Sequence, residues 1–135
     1  MNKWLLASGI LSLLLMLVHV FLGGPEILDP VLGSDLHPVV IAVLSVVWHG
    51  ITVVMLVNGV LLLAAAFREE LAAGVAWVVI GQYSGFTLLF IYYGITQLGN
   101  LMDMPQWISF AIIAGCVAMG LRKAGRANAL RSSVA

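Results

Sequence analysis

The chain has 135 residues, 62% of them hydrophobic and 9% charged, with a formal net charge of zero. Ordinary soluble domains carry roughly a quarter charged residues, so this composition excludes one, and without net positive charge there is no basic patch to favour nucleic acid. A single cysteine, Cys116, excludes an intramolecular disulfide and any CxxC redox or zinc motif.

Four apolar stretches, approximately residues 4–22, 39–67, 71–97 and 107–121, are separated by short polar connections. A bilayer core about 30 Å thick is crossed by a helix rising about 1.5 Å per residue. The pattern predicts an all-α membrane protein, an up-down four-helix transmembrane bundle forming one domain over residues 1–135. The first stretch follows Lys3 but is longer than the roughly 7–15 residues of a signal-peptide core, and no small-residue cleavage site follows it, so it reads as a retained span. Ser8, Ser12, His19 and Gly23 fall on one stripe of this helix. Gly23-Gly24-Pro25 is then expected to stop it.

The connection from Glu26 to His37 contains Asp29-Pro30 and Gly33-Ser34-Asp35, and Pro38 suits the first position of the second helix. Pro38 to Phe67 as one helix would measure about 45 Å, which predicts tilt or an interfacial first turn. Ser45, His49 and Thr52 form its polar stripe. Arg68-Glu69-Glu70 is so short that the second and third spans must pack as antiparallel neighbours. The third span carries a small-residue stripe (Gly74, Gly81, Gly85) and the most polar content, including Gln82, Tyr83 and Tyr93. Gly99-Asn100 closes it and Pro105 opens the fourth, where Ser109, Cys116 and Gly120 repeat the small stripe. Helices touch in lipid along small and weakly polar stripes, so the four stripes are expected to face one another.

All six basic residues, Lys3, Arg68, Arg122, Lys123, Arg126 and Arg131, sit at the N-terminus, the second connection or residues 122–135. The first and third connections hold only acids: Glu26, Asp29, Asp35 and Asp103. The positive-inside rule places both termini and residues 68–70 in the cytoplasm and loops 23–38 and 98–106 outside. Residues 122–135 read as a basic cytoplasmic tail attracted to the anionic leaflet of the lipid bilayer.

His19 and His49 are the ionisable groups that lie deepest in the apolar stretches, apart from tyrosines and Cys116. Both occupy polar stripes and are expected to point into the bundle from adjacent helices. An ionisable residue at membrane depth raises a functional hypothesis. Two such imidazoles suit axial ligation of haem b, with Thr52 and Ser45 orienting the rings. The structural alternative is that both are neutral and hydrogen-bond across helices to Ser, Thr or Gln82. A second cluster, Glu26 and His37 with Asp29, Asp35, Asp103, Met102 and Met104, holds donors for a metal at the outer surface. No Ser-His-Asp set, phosphate loop, HExxH or paired buried carboxylate is present, so enzymatic catalysis of those kinds is not expected.

The segments His19-Val20-Phe21-Leu22-Gly23-Gly24-Pro25-Glu26-Ile27, Pro30 and Trp48-His49-Gly50-Ile51-Thr52 resemble a pattern in small four-span inner-membrane proteins of bacteria that have no assigned activity. The resemblance covers the first half of the chain. It implies a bacterial inner membrane and marks His19, Gly24, Glu26, Trp48 and His49. Small multidrug exporters are also short four-span proteins, but they work through an acid embedded in the first span, and here that span has none. The expected roles are, in order, an accessory or interaction protein acting on a membrane protein partner or as a homo-oligomer, a haem- or metal-binding redox module, and a small transporter.

Overall fold

The computed structural model describes residues 1–132, excepting the side chains of residue 124 and residues 126–132. Among the described residues all regular structure is helical. Helix α1 spans Lys3–Val18, α2 is the short Asp29–Leu32, α3 is Pro38–Phe67, α4 is Glu69–Tyr93 and α5 is Gln106–Ser132. The Asn2 side-chain carbonyl accepts from the backbone N–H groups of Trp4 and Leu5 and so caps α1.

Between α1 and α2 the chain does not stop at Gly23-Gly24-Pro25. It continues without a break through His19–Leu28 in a wider helix with i→i−5 hydrogen bonds, the Asp29 N–H reaching the Gly24 carbonyl. Pro25 has no N–H, and in a regular α-helix its ring would strike the carbonyl four residues back. Widening the turn relieves that conflict without ending the helix. The first connection therefore shrinks from residues 23–38 to 33–37. A similar wide turn, Gly94–Leu98, extends α4 until Gly99, whose φ of +67° ends it. The single extended residue Arg68 joins α3 to α4, and Glu69 and Glu70 already form the first turn of α4. Their charges meet the positive end of that helix. At the start of α3 Pro38 takes the first position as expected, and His37 Nδ1 accepts from the Val39 N–H at 3.3 Å.

Three helical stretches, Lys3–Leu32, Pro38–Phe67 and Glu69–Leu98, are each 30 residues long and apolar enough to cross a membrane. Their outer surfaces agree with that: Val46 is 72% exposed, Phe21 69% and Leu88 66%. Helix α5 has 27 residues, but Arg122 and Lys123 follow its apolar part, Trp107 to Leu121, which is shorter than the roughly 20 residues of a full crossing. Residues 122–132 continue the helix, while the side chains of Arg126 and Arg131 lie outside the described residues.

Helices α1 and α3 run antiparallel over their whole paired length. The Asn2 N–H bonds to the Ala66 carbonyl at 2.7 Å, Gly9 sits against Gly59, Ser12 bonds to the Met55 carbonyl and His19 meets Trp48. A Cβ on Gly9 would lie 3.0 Å from the Gly59 carbonyl, and one on Gly59 would lie 2.6 Å from a Leu13 methyl. Only glycine at both positions admits this crossing. Helix α4 packs chiefly on α5, and contacts from α1 to α5 and from α3 to α4 join the two pairs. The core comprises Leu5, Met55, Leu62, Ala65, Ala66, Ala72, Ala76, Val79, Tyr83, Phe110, Ile113, Ala114 and Val117.

The expected small-residue stripe of α4 is not its packing face. A Cβ on Gly74, Gly81 or Gly85 would meet nothing within 4 Å. The buried face is instead Ala72, Ala76, Val79 and Tyr83. Alanine and valine gain dispersion contacts when enclosed, and Tyr83 finds partners for its hydroxyl inside. On α5 Gly120 is buried against Leu5, whereas Ser109 and Cys116 lie half-buried at the margin.

Candidate functional site

Where α1 continues into the wide helix, the His19 ring stacks on Trp48 with centroids 3.9 Å apart and planes at 20°. Its Nε2 lies 3.3 Å from the Trp48 carbonyl, which also accepts from the Thr52 hydroxyl at 3.3 Å. One turn on, Gly23 gives the indole its seat: a Cβ there would come within 3.1 Å of the ring. Thr52 thus helps hold the acceptor that His19 uses. Ser45 turns back to the Ile41 carbonyl of its own helix at 2.9 Å.

His49 does not join this contact. Its position on α3 is exposed, although it lies within the apolar helix. A shift of one residue along a helix turns the side chain by about 100°, and here Trp48 takes the inward position, leaving His49 outward. One ring nitrogen of His19 is thus engaged by the Trp48 carbonyl, while His49 is exposed in the isolated chain.

The bundle's main polar constellation lies deeper, at the middle of the paired helices. The fully buried hydroxyls of Ser12 and Tyr83 hydrogen-bond to each other, and Ser12 donates to the Met55 carbonyl at 3.0 Å. Asn58, 3% exposed, donates to Gln82 Oε1 at 2.7 Å. These bonds tie α1, α3 and α4 together. Gln82 is their exposed end and does not reach the histidines. Tyr93, part of the same span's polar content, is also exposed. Ser12 lies on the stripe expected to face the bundle and Tyr83 among the polar residues of the third span, but the sequence reading does not single out Asn58. Its signal is a lone amide spaced three and four residues from Met55 and Leu62 on one helical face.

At the other end of the molecule, Glu26, Asp29, Asp35 and His37 are all exposed, and Asp103 accepts from the Asn100 side chain at 2.9 Å. The continuous helix past Pro25 carries Glu26 outward and does not fold it back toward His19. Among the described residues no three His, Cys, Asp or Glu side chains are gathered as a metal site. The capping bond of His37 is a structural role that its sequence position did not announce.

Among the described residues these features define a helical chain with three helices long and apolar enough to cross a membrane, a buried polar network and a histidine–indole contact. Comparison with protein-family models, curated proteins and solved structures finds no significant match.

Proposed function

We propose that this chain is a four-span inner-membrane protein of the N-in/C-in topology, with α5 as the fourth span, that acts as an accessory to another membrane protein. The observation that carries the reading is the outward His49. An ionisable side chain facing hydrocarbon is costly, and its usual resolution is contact with protein or a polar cavity. The isolated chain leaves it uncovered within an apolar helix, on the face it shares with the exposed Val46 and Val53. A partner's helix laid along this face of α3 would cover His49 and the valines together.

The test is a photo-crosslinking residue placed in turn at Val46, Val53 and, as the buried control, Leu62, with the chain in its native membrane. The expected result is one discrete protein adduct from Val46 and Val53 and none from Leu62. Adducts to lipid alone at all three positions would overturn the reading. A Soret band or a stoichiometric metal in the purified chain, abolished by His19→Ala and by His49→Ala, would replace it with a redox module. Reporter fusions in the 33–37 loop and after Arg68 test the orientation separately: outside and inside are expected, and the reverse ends the N-in/C-in assignment.

A further inference from the structure

Asn2 joins the start of α1 to the end of α3 and to the interior of α5. Its backbone N–H bonds to the Ala66 carbonyl at 2.7 Å, near the end of α3, and its side-chain amide bonds to the Gly120 carbonyl of α5 at 2.8 Å. Each of these contacts has cations close by in the chain. Lys3 follows Asn2, Arg68 lies two positions beyond Ala66, and Arg122 and Lys123 lie two and three beyond Gly120. All four are exposed. The acids at this end are Glu69 and Glu70 in the first turn of α4, so the balance among these side chains is four positive against two negative. The opposite end carries Glu26, Asp29, Asp35 and Asp103 and no Lys or Arg. Trp4 and Phe67, 41% and 64% exposed, flank the cations with the amphipathic or apolar rings that favour the headgroup level.

We infer that this corner is a binding site for an anionic phospholipid, with the lipid phosphate held by Lys3, Arg68, Arg122 and Lys123 around the junction that Asn2 closes. The inference rests on the reading of the chain as membrane-spanning, which puts these side chains at headgroup depth. Diffuse attraction to a charged surface would need no junction. Asn2 bonds α1 to α3 and to α5, and exposed cations far apart in sequence lie close along the chain to those contacts, so a headgroup at this end is offered several of them. An Arg guanidinium presents its donors in a fork that fits two phosphate oxygens, and Lys adds a point charge.

The experiment uses the full chain in nanodiscs of phosphatidylcholine alone and of phosphatidylcholine doped with phosphatidylglycerol. Thermal unfolding and native mass spectrometry of retained lipid are read together. The expected result is a higher unfolding temperature and one retained phosphatidylglycerol in the doped discs, both weakening as salt rises. Arg68→Gln/Arg122→Gln/Lys123→Gln is expected to lose both effects while unfolding normally in pure phosphatidylcholine. Asp29→Asn/Asp35→Asn/Asp103→Asn, at the far end, is expected to keep both. Lys3→Gln alone should lower the preference roughly fivefold, which keeps the test alive should the triple variant fail to fold. Lipid preference that survives the triple substitution overturns the site, and so does the same thermal shift from inorganic phosphate without anionic lipid. A disc exposes both faces of the protein, so a reversed topology in cells leaves this result readable.

Discussion

The two halves of the molecule are built differently. Toward the basic end, from the level of Ser12, Met55 and Tyr83 to Lys3, Arg68 and Arg122, four helices close on one another and large side chains such as Leu5, Leu62 and Val117 are sealed. Toward the acidic end the buried positions in the first three membrane-crossing stretches reduce, among the described residues, to the glycines Gly24 and Gly94. There the contacts run within pairs. His19 and Gly23 meet Trp48, while Phe86 and Phe90 meet Phe110 at 5.1 and 5.9 Å between centroids. The closed half carries Gly9, Gly59, Ala65, Ala66, Ala72, Ala76 and Gly120 where helices touch, and small residues let backbones approach. The open half has valines on α3 and a widened helix after α1, which turn bulk outward. Closure follows residue size at the contact, and total hydrophobicity, high in both halves, does not decide it.

The sharpest way to break this comparison is to spoil a small contact in one half and leave the other alone. Gly59→Val should cost about 3 kcal/mol by overpacking against Leu13 and the Gly9 backbone. Gly50→Val, where a Cβ meets nothing within 4 Å, should change little. Unfolding of both variants in one detergent measures the difference, and equal losses would refute the role given to the glycine crossing. Asn2→Ala should follow at about 2 kcal/mol, combining a lost helix cap with the lost bond to Gly120. Its effect should appear in thermal unfolding as earlier release of the basic end, seen by hydrogen exchange at α1 and α5.

Tyr83→Phe should cost about 1 kcal/mol, a typical value for one interhelical hydrogen bond at membrane depth. Ser12 keeps the Met55 carbonyl and Asn58 keeps Gln82 in that variant. A neutral result in the same unfolding assay would mean that the buried network stabilises nothing measurable. The smallest effects belong to the open half. His19→Ala and Trp48→Ala should couple by roughly 0.5–1 kcal/mol in a double-mutant cycle, reflecting the stacked rings. His19→Ala and His49→Ala should instead add to within about 0.5 kcal/mol. Strong coupling between the two histidines would show that they share a site after all.

Much of this was legible in the chain and some was not. The apolar runs, the tight turn at Arg68 and the helix start at Pro38 follow from local chemistry that neighbours hardly alter. Reading Gly23-Gly24-Pro25 as a stop failed because a proline's lost bond can be absorbed by a wider helix when the surrounding residues are apolar. The α4 stripe misled for another reason. Gly74, Gly81 and Gly85 have the spacing of a contact face, yet Ala72, Ala76, Val79 and Tyr83 have it too, and spacing does not rank them. The candidate site suffered the same ambiguity at His49, whose inward neighbour Trp48 has the larger surface to bury.

By itself, the amino-acid sequence determined that the chain is helical, that it holds apolar segments of membrane-crossing length, and that its basic and acidic side chains segregate. Those properties depend on composition and on residues near one another in the chain. Only the tertiary structure decided which face of each helix turns inward, that His19 pairs with Trp48, and that Asn2 bonds to the Ala66 and Gly120 carbonyls. In a chain this apolar every face of a helix is hydrophobic, so hydropathy cannot choose among them. The choice falls to shape and to hydrogen bonds between residues as distant as Asn2 and Gly120, which become neighbours only when the helices pack.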